Sequence, residues 1–573
     1  MIMQNSEIAA QLSRLADLLE IEGANPFRVR AYRNASRTVA NLPKPVIDLV
    51  AEKADLAELP GIGADLADKI STLANTGELI LLKEIEQRTP ALLSELLKIE
   101  GLGPKHVKVL YNQLGIHSLA ELKRALGENK ICQLKGFGKK TAQKIQTGLE
   151  RFTARRRTKL YDAIQLARPL LAYLRTAPGV DKLEMAGSYR RKKETVGDLD
   201  ILVTAPNGKL IVDHFIHYPE ISKILMQGDT RCSVLLHSQL QVDLRVVPPI
   251  SYGAALLYFT GSKAHTISLR RLALQKDLKI NEYGVFHKEK RIAGASEAEI
   301  YELLGLTYIE PELRELRGEI KASRLKQLPR LVVQQDICGD LHSHTNATDG
   351  ENSLEQMAKA AINKGYQYLA ITDHSTSLKI ARGLDTRRLL AQLEEIDTLN
   401  AQYGSQFTLL KAIEVDILID GSLDLPNAIL EKLDLRVCAI HSHFGLAHQK
   451  QTERIIRAMD NPYFNILAHP TGRLINKRQA YAIDLERILQ AAKERGCFLE
   501  LNAQPDRLDL TDIHCRLAKD IGVKLAISTD AHNANQLDYM QLGVYQARRG
   551  WLEAENVLNT YNLTELRKLL KRD

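Results

Sequence analysis

The 573 residues predict a multidomain chain, helical at its start, α+β in its middle and α/β at its end. Three observations carry that expectation. A glycine–apolar–glycine turn feeding an amphipathic helical run occurs three times, at 59–70, 99–110 and 134–145. An alternating apolar run near residue 200 carries two aspartates, Asp198 and Asp200. From residue 339 onward, short β-like runs alternate with helical segments, and several runs end in His, Asp or Glu. At ~150 residues per domain the length suggests about four domains.

A hydrophobic content of 45% and a charged content of 26% are ordinary for a globular chain. No apolar run approaches the ~20 residues of a membrane span, so no membrane association is expected. The opening "MIMQNSEIAAQLSRLADLLE" alternates like an amphipathic helix and lacks the features of a signal peptide. Six cysteines, at 132, 232, 338, 438, 497 and 515, form no CxxC. That pattern predicts a reducing cytoplasm without disulfides or thiolate zinc. The net charge of +8 conceals an asymmetry: residues 1–330 hold 50 Lys+Arg against 38 acids, and residues 331–573 hold 28 against 32. The basic part suits a polyanion, whereas the acidic part holds nine of the 16 histidines.

The three turns read "LPGIGADLADKI", "IEGLGPKHVKVL" and "LKGFGKKTAQKI". Gly61, Gly63, Gly101, Gly103, Gly136 and Gly138 permit a tight turn and close approach of a ligand to the backbone. Each turn opens a helix whose free N–H groups suit a phosphate. A single copy would read as a turn between packed helices. Three copies point to DNA, the third lying in a stretch, 123–159, with 12 Lys+Arg and two acids. This resembles the helix-hairpin-helix element of DNA repair proteins, which grips the sugar-phosphate backbone without reading sequence.

In "LEMAGSYRRKKETVGDLDILVTA", 183–205, Gly187-Ser188 precedes Asp198-Leu199-Asp200 by nine residues. Carboxylates at i and i+2 on a strand face one side and can bridge two hard divalent cations. Such a pair activates a 3′-hydroxyl and stabilises departing pyrophosphate. The amides at Gly187, with Ser188 and Arg191, would cradle a triphosphate where the strand turns into a helix. The frame resembles the nucleotidyltransferase superfamily signature. "LQVDLRVVP", 240–248, supplies the third carboxylate, Asp243, with Arg245 on the same face.

"YFTGS", 258–262, followed by a basic amphipathic helix, resembles the sugar-sensing segment of family X DNA polymerases, the group of DNA polymerase beta. The resemblance runs from about residue 1 to 317. It implies that Tyr258 and Phe259 pack near the deoxyribose and that Gly261 lets the backbone approach the nucleotide. Thr266 stands where many members carry Asn, so the amide's paired donor and acceptor is missing. The resemblance also matches Lys69 to a lysine that forms a Schiff base in 5′-deoxyribose-phosphate lyase chemistry, and sets Arg28 and Tyr32 near a 5′-phosphate. The domains it implies are a lyase-like helical domain at 1–92, fingers with two hairpins at 93–157, a nucleotidyltransferase palm at 158–249 and a small thumb at 250–317.

A linker is expected at 318–336 from its charge and lone proline, leaving 337–573 as the last domain. Its apolar runs at 368–375, 409–418, 436–444, 465–472, 497–503 and 524–532 suggest a βα barrel or an open α/β sheet. Ligands at the strand ends would converge on one mouth. The set resembles the polymerase and histidinol phosphatase (PHP) domain, a distorted βα (TIM-like) barrel with up to three metals. By that resemblance His342, His344, Glu414 and Asp530 hold one metal, and Glu414 bridges to a second held by His441 and His469. Asp349, His374 and His532 hold the third. Imidazole and carboxylate ligands suit Mn²⁺, Zn²⁺ or Fe²⁺.

The chain therefore resembles a bacterial-type family X DNA polymerase with a C-terminal PHP domain. The expectation is gap-filling DNA repair with dNTPs on gapped or primed DNA, using two Mg²⁺ or Mn²⁺ at Asp198, Asp200 and Asp243. A 3′–5′ exonuclease is expected in the barrel, with cutting at abasic sites as a further expectation, in a cytoplasmic monomer. One rival is a PHP phosphomonoesterase fused to a nucleotidyltransferase that is not a DNA polymerase; the three turns and "YFTGS" speak against it. A non-catalytic DNA scaffold is the other, opposed by the intact carboxylate and histidine sets.

Overall fold

The computed structural model describes residues 3–572 except 4, 90–92, 98, 100, 117, 129, 135, 155 and 156. The expected domain boundary at 92/93, and part of the basic run at 151–159, lie outside the described residues. The chain divides into two compact units, Met1–Arg155 with Asp484–Glu486, and Arg156–Ile483 with Arg487–Asp573.

The first unit is helical. Ile8, Leu12, Leu15 and Leu19 recur at i, i+4, i+7 and i+11 along helix Asn5–Glu22 and are buried, the stripe an amphipathic helix presents to a core. Helix Pro26–Ala40 starts with Asn25 accepting from the Phe27 amide and with Pro26 in its first turn. It buries Val29, Tyr32, Ala35 and Val39. Tyr32 is therefore a core residue and is not presented to a phosphate, whereas Arg28 is exposed. Tyr32 belongs to the apolar stripe of Val29, Ala35 and Val39, at i, i+3, i+6 and i+10, and Arg28 stands at the edge of that stripe.

The second unit opens with a five-stranded sheet in the order β1-β2-β5-β4-β3. Its strands are β1 (Lys182–Met185), β2 (Asp198–Thr204), β3 (Ile221–Gln227), β4 (Arg231–Leu236) and β5 (Gln241–Val247). The central pair β2–β5 is parallel, and the other pairings are antiparallel. Leu199, Ile201 and Val203 of β2 face a buried core with Val242, Leu244 and Phe215, which leaves the aspartates on the other face. Ile475, Leu508 and Leu542 from the C-terminal part of the chain belong to that same core, so the sheet and the last domain share apolar packing.

Helices Tyr252–Thr260 and Lys263–Leu274 follow, then a three-stranded antiparallel sheet of β6 (Leu278–Asn281), β7 (Gly284–His287) and β8 (Lys290–Ala293). Segment 318–336 is built into the fold and is not a free linker. Helix Glu319–Arg324 buries the Glu319 side chain, which accepts from the Leu316 and Arg317 amides and pairs with His265 at 2.6 Å. Leu331 packs in one cluster with Leu278 and Trp551. One charge of the segment, Glu319, is thus a buried partner of a distant residue, while Lys321, Arg324, Lys326 and Arg330 remain exposed.

Seven parallel strands complete the chain in sequential order: β9 (Gly339–Asp340), β10 (Tyr368–Ile371), β11 (Thr408–Asp416), β12 (Leu435–Ala439), β13 (Ile466–Leu467), β14 (Phe498–Asn502) and β15 (Leu525–Ser528). Their residues are almost all buried, the pattern of a parallel sheet covered by helices. Just past the ends of β9 and β15, Ser343 pairs with Ala531 in a parallel bridge, with His344 N donating to Ala531 O at 2.8 Å. That bridge closes the sheet into a barrel and decides against the open sheet. All six cysteines are free. Among the described residues no helix is long and apolar enough to cross a membrane.

Candidate active sites in the palm and the barrel

The three glycine turns share one geometry. Gly61, Gly101 and Gly136 have φ of +77°, +97° and +93°, a region that side chains rarely adopt. The apolar residue between the glycines, Ile62, Leu102 or Phe137, is buried and anchors each turn. Gly63 and Gly103 cap the helices Ala64–Thr76 and Pro104–Leu114 without a side-chain cap bond, and a Cβ on Gly63, Gly103 or Gly138 would meet nothing within 4 Å. The helix N-termini are therefore open to an anion. Lys69 is engaged in an ion pair with Asp65, one turn earlier on the same helix.

In the sheet, parallel register sets Asp200 of β2 directly beside Asp243 of β5. Asp243 accepts from Ser233 and from Gln241 Nε2, the latter at 2.9 Å. Burial, then the neighbouring charges of Asp198 and Asp243, push the Asp200 carboxyl up to about 7. Three carboxylates converging at one strand pair suit divalent cations. Gly187 starts the short helix Gly187–Arg190 at φ +61°, and a Cβ there would lie 2.1 Å from Asp200 Oδ2. Only glycine lets the turn with Ser188 come so near the carboxylates. Arg191 is more committed than its sequence position suggests: Nε donates to Glu315 at 3.0 Å and a terminal nitrogen to the Thr260 carbonyl.

Tyr258 is 37% exposed, and its ring meets Phe259 edge-on at 5.0 Å. The Arg245 guanidinium lies 4.3 Å over Phe259, linking the carboxylate strand to this segment. Gly261 takes φ +68° at the end of helix Tyr252–Thr260. Thr266 is buried, and its hydroxyl has no hydrogen-bond partner.

At the barrel, the C-terminal strand ends bring all nine predicted residues to one mouth. His342 and His344 follow β9, His374 follows β10, Glu414 lies on β11, His441 follows β12, His469 follows β13, and Asp530 and His532 follow β15. Asp349 comes from the loop after the two histidines. The ring nitrogens Nε2 of His342 and His344 converge at 3.1 Å. Asp530 Oδ1 stands 3.2 Å from His344 Nε2. Glu414 Oε1 meets His469 at 3.0 Å and His441 at 3.3 Å, while Oε2 meets His374 Nδ1 at 2.8 Å. Asp349 Oδ2 meets His374 Nε2 at 3.3 Å and His532 Nε2 at 3.4 Å.

Three groups place donor atoms within 4.8 Å of one another: His344, Asp349, His374 and His532; His342, His344 and Asp530; His374, Glu414 and His441. The grouping differs from the expected one in that His344 and His374 each stand between two groups. Burial would lower the His374 imidazole, but Glu414 and Asp349 outweigh it and raise it to about 10. Burial and the neighbouring His374 instead push His344 down to about 4, and its Nδ1 is buried without a hydrogen-bond partner. An orphaned imidazole nitrogen amid carboxylates fits a metal ligand. His342, His344, His469 and Glu414 are buried, whereas Asp349, His441 and His532 are more accessible, so the mouth opens on their side. Asp530 and His469 take φ of +52° and +28°, strain held where function needs the side chain.

The segments on either side of this geometry match known families. Residues 3–79 match a helix-hairpin-helix domain, 93–151 a SAM-like helix-hairpin-helix tandem, 169–244 the DNA polymerase beta palm, 255–315 the DNA polymerase beta thumb and 340–504 the PHP domain. Over 576 residues, covering all of both chains, the sequence is 38% identical to the DNA polymerase/3′-5′ exonuclease PolX of Bacillus subtilis (strain 168). The chain belongs to the bacterial family X DNA polymerases that carry a PHP domain. DNA polymerase lambda of Rattus norvegicus is 27% identical over 344 residues, 54% of this chain and 56% of that one. A probable phosphatase of Thermoanaerobacter sp. (strain X514) is 29% identical over 247 residues, 40% of this chain and 94% of that one.

In this family X polymerase several site residues escaped the sequence reading. His342 donates from Nδ1 to Glu500 at 2.7 Å, and His441 from Nδ1 to Asp416 at 2.7 Å. These bonds leave Nε2 free as the coordinating atom. Glu500 also accepts from the His469 amide at 2.6 Å. Asp373 accepts from Thr345 N at 2.8 Å and Gln392 at 2.6 Å, pinning the loop between His344 and Asp349. A signal was present for two of these acids: Asp416 ends β11 two residues after Glu414, and Asp373 stands next to His374 past the end of β10.

Proposed function

We propose that the chain is a DNA-directed DNA polymerase that closes short gaps in duplex DNA with dNTPs, and that its barrel is a 3′–5′ exonuclease with a reach that includes abasic sites. The observation that carries this reading is the pairing of two separate donor sets in one chain. One is the carboxylate triad with Asp200 in register with Asp243; the other is the histidine–carboxylate mouth of the barrel. Cytoplasmic location and a monomeric state go with the reading.

Two Mg²⁺ or Mn²⁺ held by Asp198, Asp200 and Asp243 would supply Lewis-acid help to the 3′-hydroxyl and the departing pyrophosphate. The chain's own part is positioning. Ser233 and Gln241 orient Asp243. Gly187 admits the phosphates close to the backbone, with Ser188 and Arg191 as donors. Tyr258, Phe259 and Gly261 shape the sugar pocket. In the barrel, up to three Mn²⁺, Zn²⁺ or Fe²⁺ would supply a water-derived nucleophile near neutral pH. His342, His344 and Asp530 would hold one, Glu414 with His441 and His469 a second, and Asp349 with His374 and His532 a third. Glu500 and Asp416 fix the ring orientation of His342 and His441. The three glycine turns hold the duplex backbone, which gives binding without sequence preference. Because Lys69 is held by Asp65, a phosphate contact fits it better than lyase chemistry, which needs a free amine.

The test is primer extension and degradation on a one-nucleotide gap. Asp200→Ala should abolish extension and keep degradation, and His344→Ala should do the reverse. Loss of both activities from either substitution would refute two independent centres.

A further inference from the structure

Arg549 ends helix Met540–Arg549, is 3% exposed, and plays no part in the barrel mouth. A buried guanidinium persists only where its hydrogen bonds are met. One terminal nitrogen donates to the backbone carbonyl of Arg191 at 2.7 Å and to Glu315 Oε1 at 3.1 Å, and the other to Asp512 Oδ2 at 2.6 Å. Glu315 Oε1 is the same oxygen that accepts Arg191 Nε at 3.0 Å. Asp512 also takes Arg317 at 3.0 Å. One arginine from the C-terminal domain thus fixes both the main chain of Arg191 and the carboxylate that orients its side chain. The Arg191 fork also reaches the Thr260 carbonyl, and a Cβ on Gly261 would come within 3.3 Å of it. Nε and one terminal nitrogen are thereby used, which leaves the far edge of the fork for a bidentate partner.

We propose that Arg549 is a positioning residue for nucleotidyl transfer: reaching across from the barrel domain, it holds Glu315 and the Arg191 backbone so that the Arg191 fork is pre-set for the triphosphate of the incoming nucleotide. The proposal rests on the reading of Arg191 as a triphosphate contact. Its neighbour Arg548 supplies the control. That residue pairs with Glu312 at 2.7 Å and the Val332 carbonyl at 3.3 Å and does not touch Arg191.

The experiment measures KM for dNTP, kcat, DNA affinity, melting temperature and 3′-end degradation in the full chain and in Arg549→Met, Arg549→Lys, Arg548→Met and Arg191→Ala. Arg549→Met should raise KM for dNTP by about tenfold, the value of one lost charge-assisted contact, with kcat, DNA affinity and degradation changed far less. Lysine should restore only part, since it lacks the planar fork. Arg548→Met should leave KM for dNTP near the parent value even where it lowers the melting temperature as much. Equal KM changes in the Arg548 and Arg549 variants would overturn the proposal and leave a merely structural tie. An impaired Arg191→Ala beside an unaffected Arg549→Met would overturn the positioning role alone. Unchanged KM in Arg191→Ala would overturn the reading beneath it. If Arg549→Met does not fold, Glu315→Gln tests the same link: it keeps the shape, removes the charge, and should shift KM in the same direction.

Discussion

At the scale of single residues, the chemistry was mostly legible and its support was not. Asp198 and Asp200 stood out because i, i+2 acids on an apolar strand have few structural uses. Asp243 followed from the need for a third carboxylate. Gly187 is the sharpest case, since its φ and the 2.1 Å approach to Asp200 leave no space for a methyl group. Gly187→Ala should cut extension by roughly two orders of magnitude or more, as a misplacement of about 1 Å costs 10²-fold, while degradation persists; steady-state extension beside 3′-end trimming reads this out. Glu500 and Arg549 were not legible as functional because their meaning lies in partners far away in sequence. Tyr32 was misplaced for a related reason, its type suggesting a ligand contact when its helical phase had already assigned it to the core.

Elements tell a similar story. The strands of the last domain could be read from short apolar runs, and ligands fell at their ends because buried parallel strands carry most of their polar residues where they emerge. Barrel closure was not readable, since the Ser343–Ala531 bridge joins the first and last strand ends without any local pattern. The thumb depends on an element-scale ion cluster. Glu297, at the start of helix Glu297–Leu303, meets Arg190 at 2.7 Å and Arg314 at 2.5 Å. Burial alone would raise its carboxyl, but the Arg314 and Arg190 guanidinium groups outweigh burial and hold it at about 2. Glu315, similarly buried, is held at about 2 by Arg549, Arg191 and Lys193. A carboxyl depressed on folding stabilises above its unfolded value near 4.5, and that stabilisation is lost as pH falls towards 2. For Glu297 the contribution is about 3 kcal/mol. Urea unfolding from pH 6 down to 2.5 should show a steep loss below pH ~4.5, and Glu297→Gln should lower stability at neutral pH while flattening that slope.

For the whole molecule, the charge split between the basic first 330 residues and the acidic remainder pointed to two jobs, and within the second unit the palm and the barrel share one core. The second unit draws its apolar packing and its buried ion pairs from both the palm and the barrel. Arg473 meets Glu194 at 2.6 Å, and Asn476 meets the Arg157 carbonyl at 2.9 Å. Metal binding to the barrel should therefore stabilise more than the barrel. Adding Mn²⁺ at ~100 times its dissociation constant should contribute about 2.7 kcal/mol to the folded state. Chelation should lower the melting temperature of parent protein, and in His344→Ala that response should shrink. An unchanged melting temperature on chelation of the parent would show that the mouth holds no structural metal.

The spread of the barrel ligands also sets an order of events during synthesis. The residues of the carboxylate triad leave the ribosome by position 243, whereas the barrel mouth takes its first histidine at 342 and its last at 532. Because the donors sit on separate strand ends, the nine-residue set is complete only once residue 532 has been made. The full hydrolytic set would thus be assembled only after the polymerase carboxylates are already made, whereas its middle donors, His374, Glu414 and His441, come together earlier.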